Sequence, residues 1–180
     1  MQCFMTVREW RNVIGPLLLV AFTVSPASAG QIEDASDAAR LVAILLDAGR
    51  VTIARNQELI NDPGIGDKGF TPAVFERQVI AEFQQRTGIA LDNQESAGIP
   101  TMAKSLLARL LEESKKTVAS YQTVINIPGL KYKGLIPATF GTETAKRFQN
   151  WSGVYLKQTA PDHVLRNPMN KPDTYEAAAF

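Results

Sequence analysis

Few side chains in this sequence combine a reactive type with a telling spacing. The only imidazole, His163, lies in a turn-rich stretch. It is either an axial ligand for a noncovalently held haem, with Met169 or water opposite, or a plain surface histidine. Close by, Arg166, Asn167 and Asn170 stand in a segment that also holds Pro168, Lys171, Pro172 and Asp173. An Arg fork matches carboxylates, so the segment reads as a loop presenting Arg166 and Asn170, with Asn167 beside them, to an anionic or polar ligand. The alternative is a rigid turn whose Asn side chains bind their own backbone. Lys68 and Lys133 each precede a Gly and the start of a helix. Either they help hold an anion beside free helix N–H groups, or they lay their stems over an aromatic and keep the charge in water.

Composition removes many other chemistries. The chain has 180 residues, 45% apolar and 21% charged, with a net charge of +1, one Cys and one His. That balance gives no support for a nucleic-acid partner or a polybasic membrane contact. Cys/His zinc sites, disulfide scaffolds and CxxCH haem attachment are excluded by count. There is no G-x-S-x-G, phosphate loop or dinucleotide fingerprint. The pair Glu112-Glu113 reads as part of a solvated helix face, which makes a glycosidase weak. No enzymatic reaction is legible.

The elements that must position these residues are written twice. A shift of 65 residues, without a gap, lays Gln57–Gly88 on Gln122–Gly153 with 13 of 32 positions identical. Roughly two would be expected from composition. Each copy has a helix stopped at Ile-Asn-x-Pro-Gly, a connector ending in Lys-Gly, and a second helix opening near x-Pro-Ala. Phe75, Val79 and Phe83 share one face of that helix, as do Phe140, Thr144 and Phe148. Incoming helices are expected over 34–60 and 102–125, each with an apolar stripe. Gln57, Gln122, Asn61 and Asn126 read as connector caps.

Both ends differ from this repeat. Arg8, Arg11, the apolar run 13–24 and Ala27-Ser28-Ala29 read as a secretory signal over residues 1–29, or otherwise as an uncleaved anchor. Cleavage after Ala29 removes Cys3, Arg8, Glu9 and Arg11 and leaves 17 basic and 17 acidic residues. The expected mature domain, 30–180, is thiol-free, secreted or periplasmic, and not stably inserted in a membrane. At the other end, 154–159 alternates and is β-prone, which makes it the best strand candidate. Asp173 reads as the N-cap of a short terminal helix.

The run KGLIPATFGTETAKRFQNWSG, then YLKQT, then RNPMNKPDTYE, resembles the Tll-like extracytoplasmic domain of unknown function, from about Asp34 to Phe180. That domain occurs alone or as the sensor part of histidine kinases and chemoreceptors. The resemblance implies an α+β, helix-rich PAS-like module with long helices and a small antiparallel sheet. Because a family member carries covalent c-type haem, it also implies ligand or redox sensing. Covalent haem is impossible here without a mature-chain Cys, and no cofactor is firmly expected.

Together these readings describe an extracytoplasmic ligand- or redox-sensing module. Its expected ligand contacts are Arg166, Asn167, Asn170, Lys133 and Lys68. Its partner is a small molecule or a membrane-bound signalling protein. The rival readings are a noncovalent haem electron-transfer protein using His163, and a structural adaptor.

Overall fold

The helical stripes meet as four long helices in a computed structural model, which describes residues 27–91, 99–165 and 168–178. The side chains of residues 27–29 and 169 lie outside that description. Helix α1 spans Ala27–Arg55, α2 Gln57–Asn61, α3 Pro72–Thr87, α4 Thr101–Ser120, α5 Gln122–Ile125, α6 Pro137–Ser152 and α7 Thr174–Ala177. Short 3-10 turns occupy Asp162–Val164 and Pro168–Asn170. Unit one is α1–α3 and unit two is α4–α6. Helices α1 and α4 pack against each other, and both α3 and α6 pack against that pair.

The repeat runs further back than its identities suggest. Ala38, Val42, Leu45 and Ile53 of α1 are buried, and so are Ala103, Leu107, Leu110 and Val118, each 65 residues later. Pro72 and Pro137 occupy the first turns of α3 and α6, where a missing N–H leaves nothing unpaired. Both helices end on a left-handed glycine, Gly88 (φ 72°) and Gly153 (φ 71°), a conformation other residues adopt only with strain. The long incoming helices break at equivalent residues, Asn56 and Tyr121. Asn56 Nδ2 donates to Gln78 Oε1 (2.7 Å), while Tyr121 Oη donates to Glu143 Oε1 (2.7 Å), again at an offset of 65.

The two units are tied through their connectors. Gln57 Nε2 donates to the Leu135 carbonyl (2.8 Å), and Gln122 Nε2 donates to the Phe70 carbonyl (3.0 Å). The Lys133 N–H donates to Asn61 Oδ1 (3.1 Å), and the Lys68 N–H donates to Asn126 Oδ1 (3.2 Å). Each of these bonds from unit one to unit two is returned from unit two to unit one. Such self-complementary contacts are the mark of an approximate two-fold.

Phenylalanine fills the centre. The rings of Phe75 and Phe140 lie 5.3 Å apart, fully buried, one from each unit. Gly49 of α1 admits them: a methyl there would lie 2.7 Å from the Phe140 ring. Its equivalent in α4 is Ser114, whose hydroxyl is buried and donates to the Leu110 carbonyl (2.8 Å). Thr117, Thr144 and Thr52 are also buried with their hydroxyls bonded, so these interior hydroxyls are satisfied.

The α+β expectation is wrong. Among the described residues there is no strand and no antiparallel sheet, so this is a helical bundle and not a PAS-like module. Residues 154–159 do alternate, but for another reason. They form an extended tail whose alternate side chains anchor it: Leu156 packs on the core and Gln158 enters a slot in α6. Period-two patterning reports two-faced contact, and a ladder requires a second strand, which the described residues do not place there.

Two outcomes follow. Gly49→Ala forces a methyl into the immobile Phe75–Phe140 pair and should cost about 1–3 kcal/mol, read as a lower midpoint in thermal unfolding. Ser114→Ala at the equivalent place should shift it far less. In alkaline titration, burial first, then the bond to Glu143 and the charge of Glu143, push the Tyr121 phenol up from 10.0 to about 12. A raised acid holds its proton longer in the folded state, so its contribution is full below pH 10.0 and is lost as pH rises toward 12. Tyrosinate absorbance should show a last phenol ionising near 12 that Tyr121→Phe removes.

Candidate functional site

The approximate two-fold creates two equivalent clefts, one between α3 and α4 and one between α1 and α6, and the differences between them define the site. In the α3–α4 cleft, Lys115 of α4 pairs with Glu76 of α3 (3.1 Å) and Glu112 (3.4 Å). At the equivalent positions of the α1–α6 cleft stand Arg50, Gly141 and Asp47. Asp47 still pairs with the basic residue, at 2.8 Å from Arg50 Nη1. The second acid is gone. Gly141 leaves a slot in α6, and a methyl there would lie 1.5 Å from Gln158 Nε2 and 3.1 Å from Arg50 Cδ. The tail has put an amide where unit one keeps a carboxylate.

The result is a groove of about 560 Å³ between α1, α6 and the tail. Arg50, Asp47, Gln158, Thr159 and Asn170 supply its polar wall, with Leu46, Leu156, Val164 and Leu165 among its apolar residues. That volume falls in the range of small-molecule sites. Arg50 Nε, Gln158 Nε2 and Thr159 Oγ1 are buried without a hydrogen-bond partner. Two are N–H donors and the third is a hydroxyl, so three residues that line the groove carry buried polar atoms without an acceptor or donor partner. The α3–α4 cleft, about 410 Å³, flanks residues outside the description and has none of these unpaired groups.

Asp47 does not compete for that role. Besides Arg50 it accepts from Arg86 Nη1 (2.7 Å), and Arg86 Nε also donates to Glu82 Oε1 (2.7 Å). Glu82, nearly fully buried, further pairs with Arg55. The Arg86 bond, against the opposing effect of burial and with help from Arg55, holds the Glu82 carboxyl below the usual carboxylate range. Asp47 in turn raises the Arg86 guanidinium. These charges are spent on one another.

The tail is fixed by a small closed circuit. Asp173 caps α7 by accepting from the Glu176 N–H (2.7 Å), and Glu176 Oε2 accepts from the Asp173 N–H (2.9 Å), a capping box. The same Glu176 oxygen receives Lys157 Nζ (2.7 Å), which also donates to the Lys171 carbonyl (2.6 Å). The bond to Glu176 raises the Lys157 ammonium. This circuit holds Gln158, Thr159 and Asn170 against α1 and α6.

Of the ligand contacts expected from sequence, Asn170 lines the groove. Arg166 and Asn167 lie outside the described residues. Lys68 and Lys133 are elsewhere, at the crossing of the connectors, and both are buried, so their charges are not in water. His163 is exposed on its 3-10 turn, and its neighbour Val164, not the imidazole, faces the groove. The expectation of a solvated Glu112-Glu113 pair fails at Glu113, which is buried between Arg109 (2.8 Å) and Lys116 (3.0 Å). Among the described residues no group of three or more His, Cys, Asp or Glu can hold a metal ion, and no helix is long and apolar enough to cross a membrane. The signal assigned to residues 1–29 lies almost wholly outside the description.

Arg50, Gln158 and Thr159 were not read from the sequence. The signal was there in the repeat: extending the offset of 65 back into α1 and along α6 pairs Lys115 with Arg50 and Glu76 with Gly141. A base keeps its place while its acid is lost. No family model matches the chain, and neither a curated protein nor a solved structure does.

Gly141→Ala should eject Gln158 and free the tail. Limited proteolysis within 153–178 should then accelerate severalfold while the four-helix core keeps its thermal midpoint. An unchanged cleavage rate would show that Gln158 does not seat the tail.

Proposed function

We propose that the protein is an extracytoplasmic binding module whose α1–α6–tail groove takes a small carboxylate-bearing ligand and reports its presence to a partner. The observation that carries this reading is that three residues lining one groove, Arg50, Gln158 and Thr159, each bury a polar atom without a hydrogen-bond partner, Nε, Nε2 and Oγ1. Leaving such groups buried and unbonded costs about 1–3 kcal/mol each, which an acceptor-rich ligand offsets on binding. Arg50 has one guanidinium arm on Asp47 and its Nε free, so a carboxylate oxygen at Nε completes the fork. Leu46, Leu156 and Leu165 provide apolar walls for a short carbon chain. The tail supplies half of the polar wall and is held to the bundle mainly by side chains, so occupancy bears directly on how the tail sits. That coupling is the route by which a partner would sense the ligand. The secretory signal expected at residues 1–29 supports the extracytoplasmic setting.

The test is a thermal-shift screen of short mono- and dicarboxylates at fixed ionic strength, followed by calorimetry on any hit. A ligand at a hundred times its Kd stabilises by about 2.7 kcal/mol. Arg50→Gln, which keeps the side chain's bulk but loses the charge, should weaken binding at least about tenfold, or 1.4 kcal/mol. A hit that binds Arg50→Gln and wild type equally, or a screen in which no carboxylate shifts the midpoint, would reject the groove as a carboxylate site.

A further inference from the structure

The two lysines singled out by the repeat have a use that the groove does not absorb. Lys68 and Lys133 are 7% and 2% exposed, deep burial for a residue whose charge belongs in water. No carboxylate lies within salt-bridge distance of either ammonium among the described residues. The nearby acids of connector one are engaged elsewhere, Asp62 with the Gly64 N–H (2.7 Å) and Asp67 with the Gly69 N–H (2.9 Å). Each ammonium has one protein acceptor, a backbone carbonyl: that of Ile65 for Lys68 and that of Ile127 for Lys133. An ammonium has three N–H donors, so two on each remain.

The carbonyls that receive the two ammoniums belong to one crossing. Asn126 accepts the Lys68 backbone N–H through its side chain, and the next residue, Ile127, receives the Lys133 ammonium through its carbonyl. Gly66, next to the Ile65 carbonyl that receives Lys68, faces the Asn126 carbonyl, which lies 4.0 Å from where a methyl on Gly66 would stand. The Gly129 N–H crosses to the Pro63 carbonyl (2.8 Å) and closes the two connectors over the place. Burial first, then the charge of Lys68, lowers the Lys133 ammonium below its usual value, as expected for two cations confined together.

We propose that Lys68 and Lys133 jointly bind a small inorganic oxyanion, phosphate or sulfate, where the two connectors cross. One such anion supplies the missing negative charge and acceptors for the free ammonium N–H groups of both units. It also links the two units at their two-fold, so its binding adds directly to the cohesion of the bundle. The deep burial of both ammoniums selects for an ion of this size over a bulky phosphoester.

Phosphate is titrated into the full mature chain with sodium chloride adjusted to constant ionic strength, while backbone amide NMR shifts and the thermal midpoint are followed. The expected result is a saturable shift of the Lys68, Gly69, Lys133 and Gly134 amides, together with a rise in midpoint. Lys133→Met should weaken this response at least about tenfold, and Lys133→Arg should restore part of it. A linear drift indistinguishable from that in chloride, or saturation that survives in Lys133→Met, would overturn the proposal. If Lys133→Met does not fold, the wild-type titration decides alone. Neither result depends on the carboxylate groove, which is read separately through Arg50→Gln.

Discussion

Neither connector in this protein is complete by itself. Backbone groups turned away from water must find partners, and at Lys68, Phe70, Lys133 and Leu135 they find them on the opposite unit. Asn61 and Asn126 each accept the backbone N–H of the lysine in the other connector, and Gln57 and Gln122 each donate to a carbonyl there. This exchange fixes where α3 and α6 begin, because Phe70 and Leu135, whose carbonyls are bound, lie just ahead of Pro72 and Pro137. The start of each helix in turn delivers Phe75 and Phe140 to the centre, over the gap that Gly49 leaves in α1. Two interpenetrating halves with a shared core therefore fold as one cooperative body, unlike stacked repeats that contact only neighbours.

Function then arises where the halves stop being alike. Between α3 and α4 an acid and a base, Glu76 and Lys115, close the surface. Between α1 and α6 the base survives as Arg50, the acid has become Gly141, and the tail takes the space. The tail fills the slot without satisfying the donors, and that imperfect fit distinguishes a groove from a repaired surface. The capping box at Asp173 and Glu176 gives the tail a fixed shape, and Lys157 ties the two ends of that shape together. Lys171 and Asp173, from the segment noticed in the sequence, thus serve to hold other residues in place.

Much of the helical framework could be read directly. The stops at Asn61 and Ile125, the prolines opening α3 and α6, the glycines closing them and the Asp173 cap all follow from local backbone rules, which tertiary packing did not override. The fold class could not be read so directly, because 154–159 has the alternation of a strand and local sequence does not say whether a partner strand exists. The burial of Lys68 and Glu113 was not legible for a related reason. A charged residue is placed in water by default, and only three-dimensional packing shows that α1 and α4 turn one face of each connector inward. The groove residues were hidden because Arg50 and Gln158 are 108 positions apart. What connects them is the absent side chain of Gly141, visible only when the two units are set against each other.

Native-state hydrogen exchange on Asn61→Ala tests the exchange of caps most directly. Asn61 is in unit one, and the amide it binds, that of Lys133, lies 72 residues away in unit two. The Lys133 amide should lose protection far more than the amides around Asn61 itself, with the Lys68 amide, capped by the untouched Asn126, affected less. Loss of protection confined to residues 57–66, with Lys133 unchanged, would contradict the account, since each unit would then be capping itself.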